Sequence, residues 1–349
     1  MISIMCKNRA SYVAAVVVFM MTAIEISAQT SRQVFEVQTL SENNGPTVRY
    51  VSRGRRSVDV LLMNWDGKAV TLHELAASDI EDITFGGGAV KWKNEDGKVV
   101  VESLSLVGGA LAAVLKVRLK SDLTVLFIGD SITDGGWGRS GGMPKSSAER
   151  NKTDQNHTLG HSYVMLAAAR IMADEPTLKC NWLNRGISGN TVDDLKQRWT
   201  EDMLLEDPDI LTVMVGINDV FKYYRKDRAD DFDVEAWTAQ LKGLLTEARN
   251  ANPSIKVVMM SPFVAKGKSV NEESFPRIKK AVDECAMSVE ALAKELGAVY
   301  IDTNSLFNSI TTGNPESERW LWDGIHPTPA GHQLIADRWI ECVKKENFM

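Results

Sequence analysis

The chain has 349 residues, 44% of them apolar and 25% charged, with a formal net charge of −6. That length accommodates two domains, and the composition is that of an ordinary soluble globular protein. No cluster of lysine and arginine breaks the acidic balance, so a nucleic-acid role has no electrostatic support.

Residues 1–28 read as a secretory signal peptide. Lys7 and Arg9 precede an uncharged apolar run from Tyr12 to Ile24, and Ile26-Ser27-Ala28 ends on a small residue suited to cleavage. The run is shorter than the ~20 residues needed to span a bilayer. Export is therefore expected, to a secreted or periplasmic location, with no membrane insertion once the signal is removed. Cys6 leaves with it. Cys180, Cys285 and Cys342 remain, an odd number at wide spacings that fits neither a disulfide framework nor a metal site. Cys285 and Cys342 fall on helical patterns and are expected in the core.

Residues 29–120 read as a small β-sandwich-like domain. Val58, Val60 and Leu62 alternate with Ser57, Asp59 and Leu61, and Leu115, Val117 and Leu119 alternate with Lys116, Arg118 and Lys120. Asp66-Gly67 and Asp96-Gly97 predict hairpin turns, and Gly86-Gly87-Gly88 marks a further break. Trp65 and Trp92 are candidates for a sugar-stacking platform, although tryptophan in a small sandwich is more often core.

From residue 121 to 349 the pattern alternates. Strands are predicted at Leu123–Ile128, Cys180–Asn184, Ile210–Val215, Ile255–Met260 and Ala298–Ile301. Helices are predicted at His161–Ala173, Val192–Leu204, Val234–Asn250 and Phe275–Leu296, with a last one starting near Pro329 behind a Thr328 cap. Strands separated by helices imply a parallel sheet covered on both faces, an α/β fold. The long polar, glycine-rich segment Asp134–Gly160 interrupts it and is expected to be functional.

Gly129-Asp130-Ser131 directly follows the first of these strands, which places a serine on a tight turn at a strand's carboxyl end. Ligands of open α/β sheets bind there. Asp323-Gly324-Ile325-His326 precedes the last helix; an aspartate three residues before a histidine can take its Nδ1–H and leave Nε2 free as a base. Gly186-Ile187-Ser188-Gly189-Asn190 follows the second strand and Gly216-Ile217-Asn218-Asp219 the third. Together they offer Ser131 N–H, Gly189 N–H and the Asn218 amide as a three-donor oxyanion hole. Taken singly, Ser131 could merely cap a helix and Asp323 merely close a turn; one mechanism explains all the roles at once.

These four segments, in this order, resemble the blocks of the SGNH (GDSL-type) hydrolase family, with Ile132 where the namesake leucine would stand. The resemblance implies a three-layer α/β/α flavodoxin-like domain with a five-stranded parallel sheet. It also implies Ser131 as nucleophile, Gly189 and Asn218 as oxyanion donors, His326 as base and Asp323 as its orienter. The runs 184–192 and 215–220 are similar to the carbohydrate acetylesterase branch, acetylxylan esterases in particular. An acetylated carbohydrate substrate follows from that similarity, with no metal or organic cofactor.

Trp137, Arg139 and Trp322 adjoin the catalytic blocks and are candidates for shaping the substrate pocket. Asp130 and Asp219 are expected to support their turns, and His332 to pack. His157 and His161 with Asp154 make a weak metal set in one loop. Gly138-Arg139-Ser140-Gly141-Gly142 fits a nucleophile elbow and 136–141 a dinucleotide fingerprint, but neither has the required strand–turn–helix setting. A lysophospholipase or thioesterase is the rival reading, and a non-catalytic carbohydrate-binding protein a more distant one. The histidine base predicts activity that rises with pH as His326 loses its proton.

Overall fold

The computed structural model describes residues 38–41, 46–53, 56–106, 112–136, 158–225, 230–270 and 272–349. Residues 1–28, Trp137, Arg139, Asp154, His157 and the elbow-like run 138–142 lie outside them. The chain divides into two compact units, Met1–Ser121 and Asp122–Met349.

Among the described residues the first unit has nine antiparallel strands: β1 (Gln38–Ser41), β2 (Thr47–Ser52), β3 (Ser57–Met63), β4 (Val70–Ala76), β5 (Ile80–Phe85), β6 (Gly88–Ala89), β7 (Trp92–Glu95), β8 (Lys98–Val101) and β9 (Ala112–Leu119). One sheet has the order β1-β2-β3-β9-β5-β6 and a second β4-β8-β7. Alternation decides which residues face inward: Val60, Leu62, Leu115 and Val117 meet Leu72, Val99 and Val101 of the other sheet in one apolar core. Asp96 and Gly97, at φ 52° and 83°, close the expected β7–β8 hairpin. Gly86 and Gly87 close a second, between β5 and β6.

Asp66-Gly67 does not close a hairpin. The strands it joins, β3 and β4, lie in different sheets. Trp65 explains the crossing: its ring is 2% exposed in the shared core and its Nε1–H is satisfied by Lys68 O at 2.7 Å. Trp92 packs partly buried against the same core, so the pair offers no open stacking platform.

The second unit carries five parallel strands: β10 (Leu123–Gly129), β11 (Cys180–Gly186), β12 (Ile210–Met214), β13 (Lys256–Met260) and β14 (Val299–Ile301). Their order is β11-β10-β12-β13-β14, the flavodoxin-like arrangement whose switch point falls beside β10. Both neighbours of β10 run in register with it, pairing Gly129 with Gly186 and with Met214. The carboxyl ends of three strands therefore finish level.

Among the described residues the helices are α1 (Ser131–Asp134), α2 (Tyr163–Asp174), α3 (Val192–Trp199), α4 (Ile217–Tyr224), α5 (Val234–Ala251), α6 (Phe275–Leu296), α7 (Thr303–Thr311) and α8 (Pro329–Lys345). Helix α2 packs on α8, and α5 on α6. Phe127 of β10 sits among Tyr163 of α2 and Trp339 of α8, and the Trp339 indole donates to Thr212 Oγ1 at 2.9 Å. Thr328 caps α8 through the Gly331 N–H, and Gly297 ends α6 at φ 58°. The helix expected over Val192–Leu204 is α-helical only to Trp199 and continues as a wider π turn over Thr200–Leu204. Cys180, Cys285 and Cys342 are free thiols; Cys285 is buried in the core, as its helical position predicts.

Candidate active site

The serine turn is held from below. The Asp130 side chain accepts the Ile132 N–H at 3.0 Å, so it caps α1 and makes Ser131 the first residue of that short helix. Asp130 is 1% exposed, and this burial pushes its pKa up to about 7 against the lowering pull of the Ile132 N–H. The structure thus gives Asp130 the supporting part expected of it.

Ser131 Oγ lies 2.9 Å from His326 Nε2, although 195 positions separate the two in sequence. His326 Nδ1 lies 2.8 Å from Asp323 Oδ2. The other oxygen, Oδ1, accepts the main-chain N–H of Ile325 at 3.0 Å and of His326 at 2.7 Å. Burial raises the carboxyl pKa, but the hydrogen bonds from the His326 ring, the His326 N–H and the Ile325 N–H outweigh it, and Asp323 is held well below the usual carboxylate range. An ionised Asp323 can only accept, which fixes the proton on Nδ1 and leaves Nε2 as acceptor for the serine hydroxyl.

Sequence reasoning missed a further support. Ser269 Oγ donates to Asp323 Oδ2 at 2.9 Å, and Ser269 N–H donates to Asp323 O at 2.9 Å. Ala265 N–H reaches Gly324 O at 2.8 Å, so the segment after β13 forms a cradle under the Asp323 turn. Gly267 is part of it, because a Cβ there would collide with the Asp323 main chain. No motif marks Ser269; only the tertiary approach reveals it.

The predicted oxyanion donors come from the two flanking strand ends. Ile187 N–H donates to Gly129 O at 3.0 Å and Ser188 N–H to Asp134 Oδ2 at 3.0 Å, binding the loop after β11 to the nucleophile turn. Gly189 follows with φ 80°, a left-handed conformation that favours glycine. Asn218, near the start of α4, donates one Nδ2–H to Asn190 O at 3.2 Å, leaving its second amide hydrogen available. Asp219 ties the two loops together by accepting the Val192 N–H at 3.0 Å; burial pushes its pKa up to about 6.

Of the candidate pocket residues, Trp322 is placed directly at the site. It is 52% exposed, and its ring stacks on His326 with centroids 5.8 Å apart and planes 22° from parallel. Trp322 N–H donates to His326 O at 3.1 Å, which closes the turn between them. His332 packs instead: its Nδ1 accepts the Tyr163 N–H at 3.2 Å, and burial draws its pKa down to about 4. His161 Nδ1 sits 3.2 Å from Gly135 O. Among the described residues no group of three acidic, histidine or cysteine side chains is arranged to hold a metal ion.

A serine at a strand end within hydrogen-bond reach of an imidazole that a buried carboxylate orients is an arrangement suited to acyl transfer. Residues 127–334 match the model of the GDSL-like lipase/acylhydrolase family. The chain belongs to that family. It is thereby a carboxylic ester hydrolase of the SGNH/GDSL type, with the α/β fold described above. Among its relatives is an acetylxylan esterase of Geobacillus stearothermophilus, 34% identical over 224 residues that cover 63% of this chain and 93% of that one. The crystal structure of Axe2, an acetylxylan esterase from the same organism, superposes with a TM-score of 0.53 at 31% identity, over 64% of this chain and 94% of that one. A structure from Parabacteroides merdae described as a putative GDSL-like lipase gives a TM-score of 0.53 at 29% identity, over 64% and 97% of the two chains.

Proposed function

We propose that this GDSL-family chain is an exported serine esterase that removes acetyl groups from xylan-type carbohydrate by way of an acyl-enzyme. The observation behind this reading is the unbroken line Ser131 Oγ, His326 Nε2, His326 Nδ1, Asp323 Oδ2, with links of 2.9 and 2.8 Å at its two ends. Structures of Axe2 catalytic mutants remove a serine, an aspartate or a histidine, the latter two standing three positions apart as Asp323 and His326 do.

Ser131 Oγ attacks the ester carbonyl carbon while its proton passes to His326 Nε2. The carbonyl π pair moves onto oxygen, where Ser131 N–H, Gly189 N–H and the Asn218 amide receive the charge. Collapse breaks the bond to the sugar oxygen, which takes the proton from His326 and leaves as a hydroxyl. Water, deprotonated by His326, then attacks the acetyl-Ser131 carbonyl and releases acetic acid and the free serine. Asp323 stays ionised and stabilises the imidazolium in both halves.

Residues 1–28 have the layout of a cleaved signal, which supports export. N-terminal sequencing of the secreted protein should begin after Ala28; a mature chain retaining Met1 would refute it. For the reaction, acetate release is measured on acetylated xylan, mannan and pectin fragments, and acetyl is compared with decanoyl nitrophenyl ester. Preference for xylan acetate and for the acetyl ester is expected. Faster turnover of the decanoyl ester would favour a lipolytic enzyme instead.

A further inference from the structure

We infer that Arg198 is a positioning residue for the oxyanion hole: its guanidinium clamps the Gly189 loop, and through it Asn218, to the end of the nucleophile strand. This rests on the ester-hydrolase reading given above and adds a residue that the serine–histidine–aspartate line does not contain.

Arg198 stands on the last turn of α3, and its side chain runs back to the strand ends with 13% of its area exposed. Nε donates to Asn190 Oδ1 at 2.8 Å. Nη1 donates to Arg185 O at 2.7 Å and to Asp202 Oδ2 at 2.6 Å. Nη2 donates to Gly129 O at 3.2 Å. One planar group therefore holds three backbone segments: the residue after Gly189, the end of β11, and the end of β10 two residues before Ser131.

Asn190 is the relay. Its side chain takes the Arg198 Nε–H, while its carbonyl takes an Asn218 Nδ2–H at 3.2 Å. The orientation of Asn218 thus depends on where Asn190 O sits, and Gly189 is the residue bonded to Asn190. Gly129 O accepts from Arg198 and from Ile187 N–H together, so the same atom anchors both ends of the Gly189 loop. Asp202 supplies the counter-charge a buried guanidinium requires. Asp202 stands four residues on, one helical turn beyond Arg198, and so faces the guanidinium.

A rigid fork can serve three directions at fixed angles, whereas a lysine ammonium offers one point of charge. The hole must be formed before the oxyanion exists, since donors that have to reorganise during the reaction lose their advantage. Displacement by about 1 Å is enough to cost about 10²-fold in rate.

The test compares the full mature chain with Arg198→Lys, Arg198→Met and Asn190→Ala on nitrophenyl acetate. Affinity for methyl trifluoromethyl ketone is measured alongside, because its serine adduct carries an oxyanion. Expected is a fall in kcat of about 10- to 100-fold, larger for Met than for Lys, with KM within about twofold. Ketone affinity should fall by the same factor as kcat/KM. Folded Arg198 variants with wild-type kcat would overturn the inference. So would activity that drops only with the folded fraction while ketone affinity per folded molecule stays constant. If the Arg198 variants fail to fold, Asn190→Ala decides, since it removes the Nε link alone; wild-type kcat there overturns the clamp. Wild-type protein that neither turns over nor labels at Ser131 with a fluorophosphonate instead refutes the parent reading, and the clamp with it.

Discussion

Asp323 grips His326 at two places, taking the ring Nδ1–H on Oδ2 at 2.8 Å and the main-chain N–H on Oδ1 at 2.7 Å. The side chain and the backbone of the histidine are thus referred to one carboxylate. Asp323→Asn keeps the shape but exchanges an acceptor for an amide that can donate to the ring, which favours the wrong tautomer. A loss of about 10³- to 10⁴-fold in kcat is expected, with KM nearly unchanged. Steady-state kinetics on a nitrophenyl acetate series measure it, and a loss below tenfold would refute the role.

Ser131→Ala should abolish turnover and fluorophosphonate labelling. Ser131 is the first residue of a four-residue helix whose cap is the Asp130 carboxylate, so the fold does not depend on the hydroxyl. The unfolding midpoint is expected to move by less than about 2 °C, within the effect of a change below 1 kcal/mol on a domain this size.

Asn218→Ala removes a donor whose other hydrogen holds Asn190 O. A fall of about 10²- to 10³-fold in kcat is expected, the usual consequence of losing one oxyanion donor. Ser269→Ala should act more gently. It takes one hydrogen bond from Asp323 Oδ2 and leaves both main-chain bonds to Oδ1. A reduction of about two- to tenfold in kcat is predicted, of the order of one neutral-to-charged hydrogen bond partly replaced by water.

Asp130 makes stability depend on pH. Its carboxyl titrates near 7 in the folded protein and near 3.8 when unfolded. Between those values the folded state holds more protons, so this group's contribution falls as pH rises from about 4 to 7 and levels off above. Asp130→Asn preserves an acceptor for the Ile132 N–H and removes the titration. Its melting temperature should gain on wild type steadily across that window. A constant difference from pH 4 to 8 would argue against a buried, proton-binding Asp130.

The sequence announces the site more clearly than its supports. Ser131, Gly189, Asn218, Asp323 and His326 each follow a strand or turn signal within a few residues, so chemistry and local pattern coincide. Five strands and five helices of the second unit were legible because buried parallel strands and amphipathic helices have distinct periods. Helices α4 and α7, of 8 and 9 residues, are too short for a period to stand out, whereas the equally short α3 reads as one run with the π turn that extends it to Leu204. Ser269 and Arg198 owe their parts to partners 54 and 69 positions away, which no local pattern encodes. Asp66-Gly67 predicts a hairpin that the structure lacks, because a hairpin signal states the turn, not the sheet that the next strand joins. The core position of Trp65 settled that.

Asn184, buried on β11, donates its amide to Thr133 O at 2.9 Å, Asp134 O at 3.3 Å and Leu159 O at 2.9 Å, while Ser162 Oγ reaches Thr133 O at 2.8 Å. The chain leaving the nucleophile helix and the chain returning to α2 are stapled to the same side chain. One buried side chain is thereby a shared keystone: a change at Asn184 would reach the serine turn and the approach to α2 together.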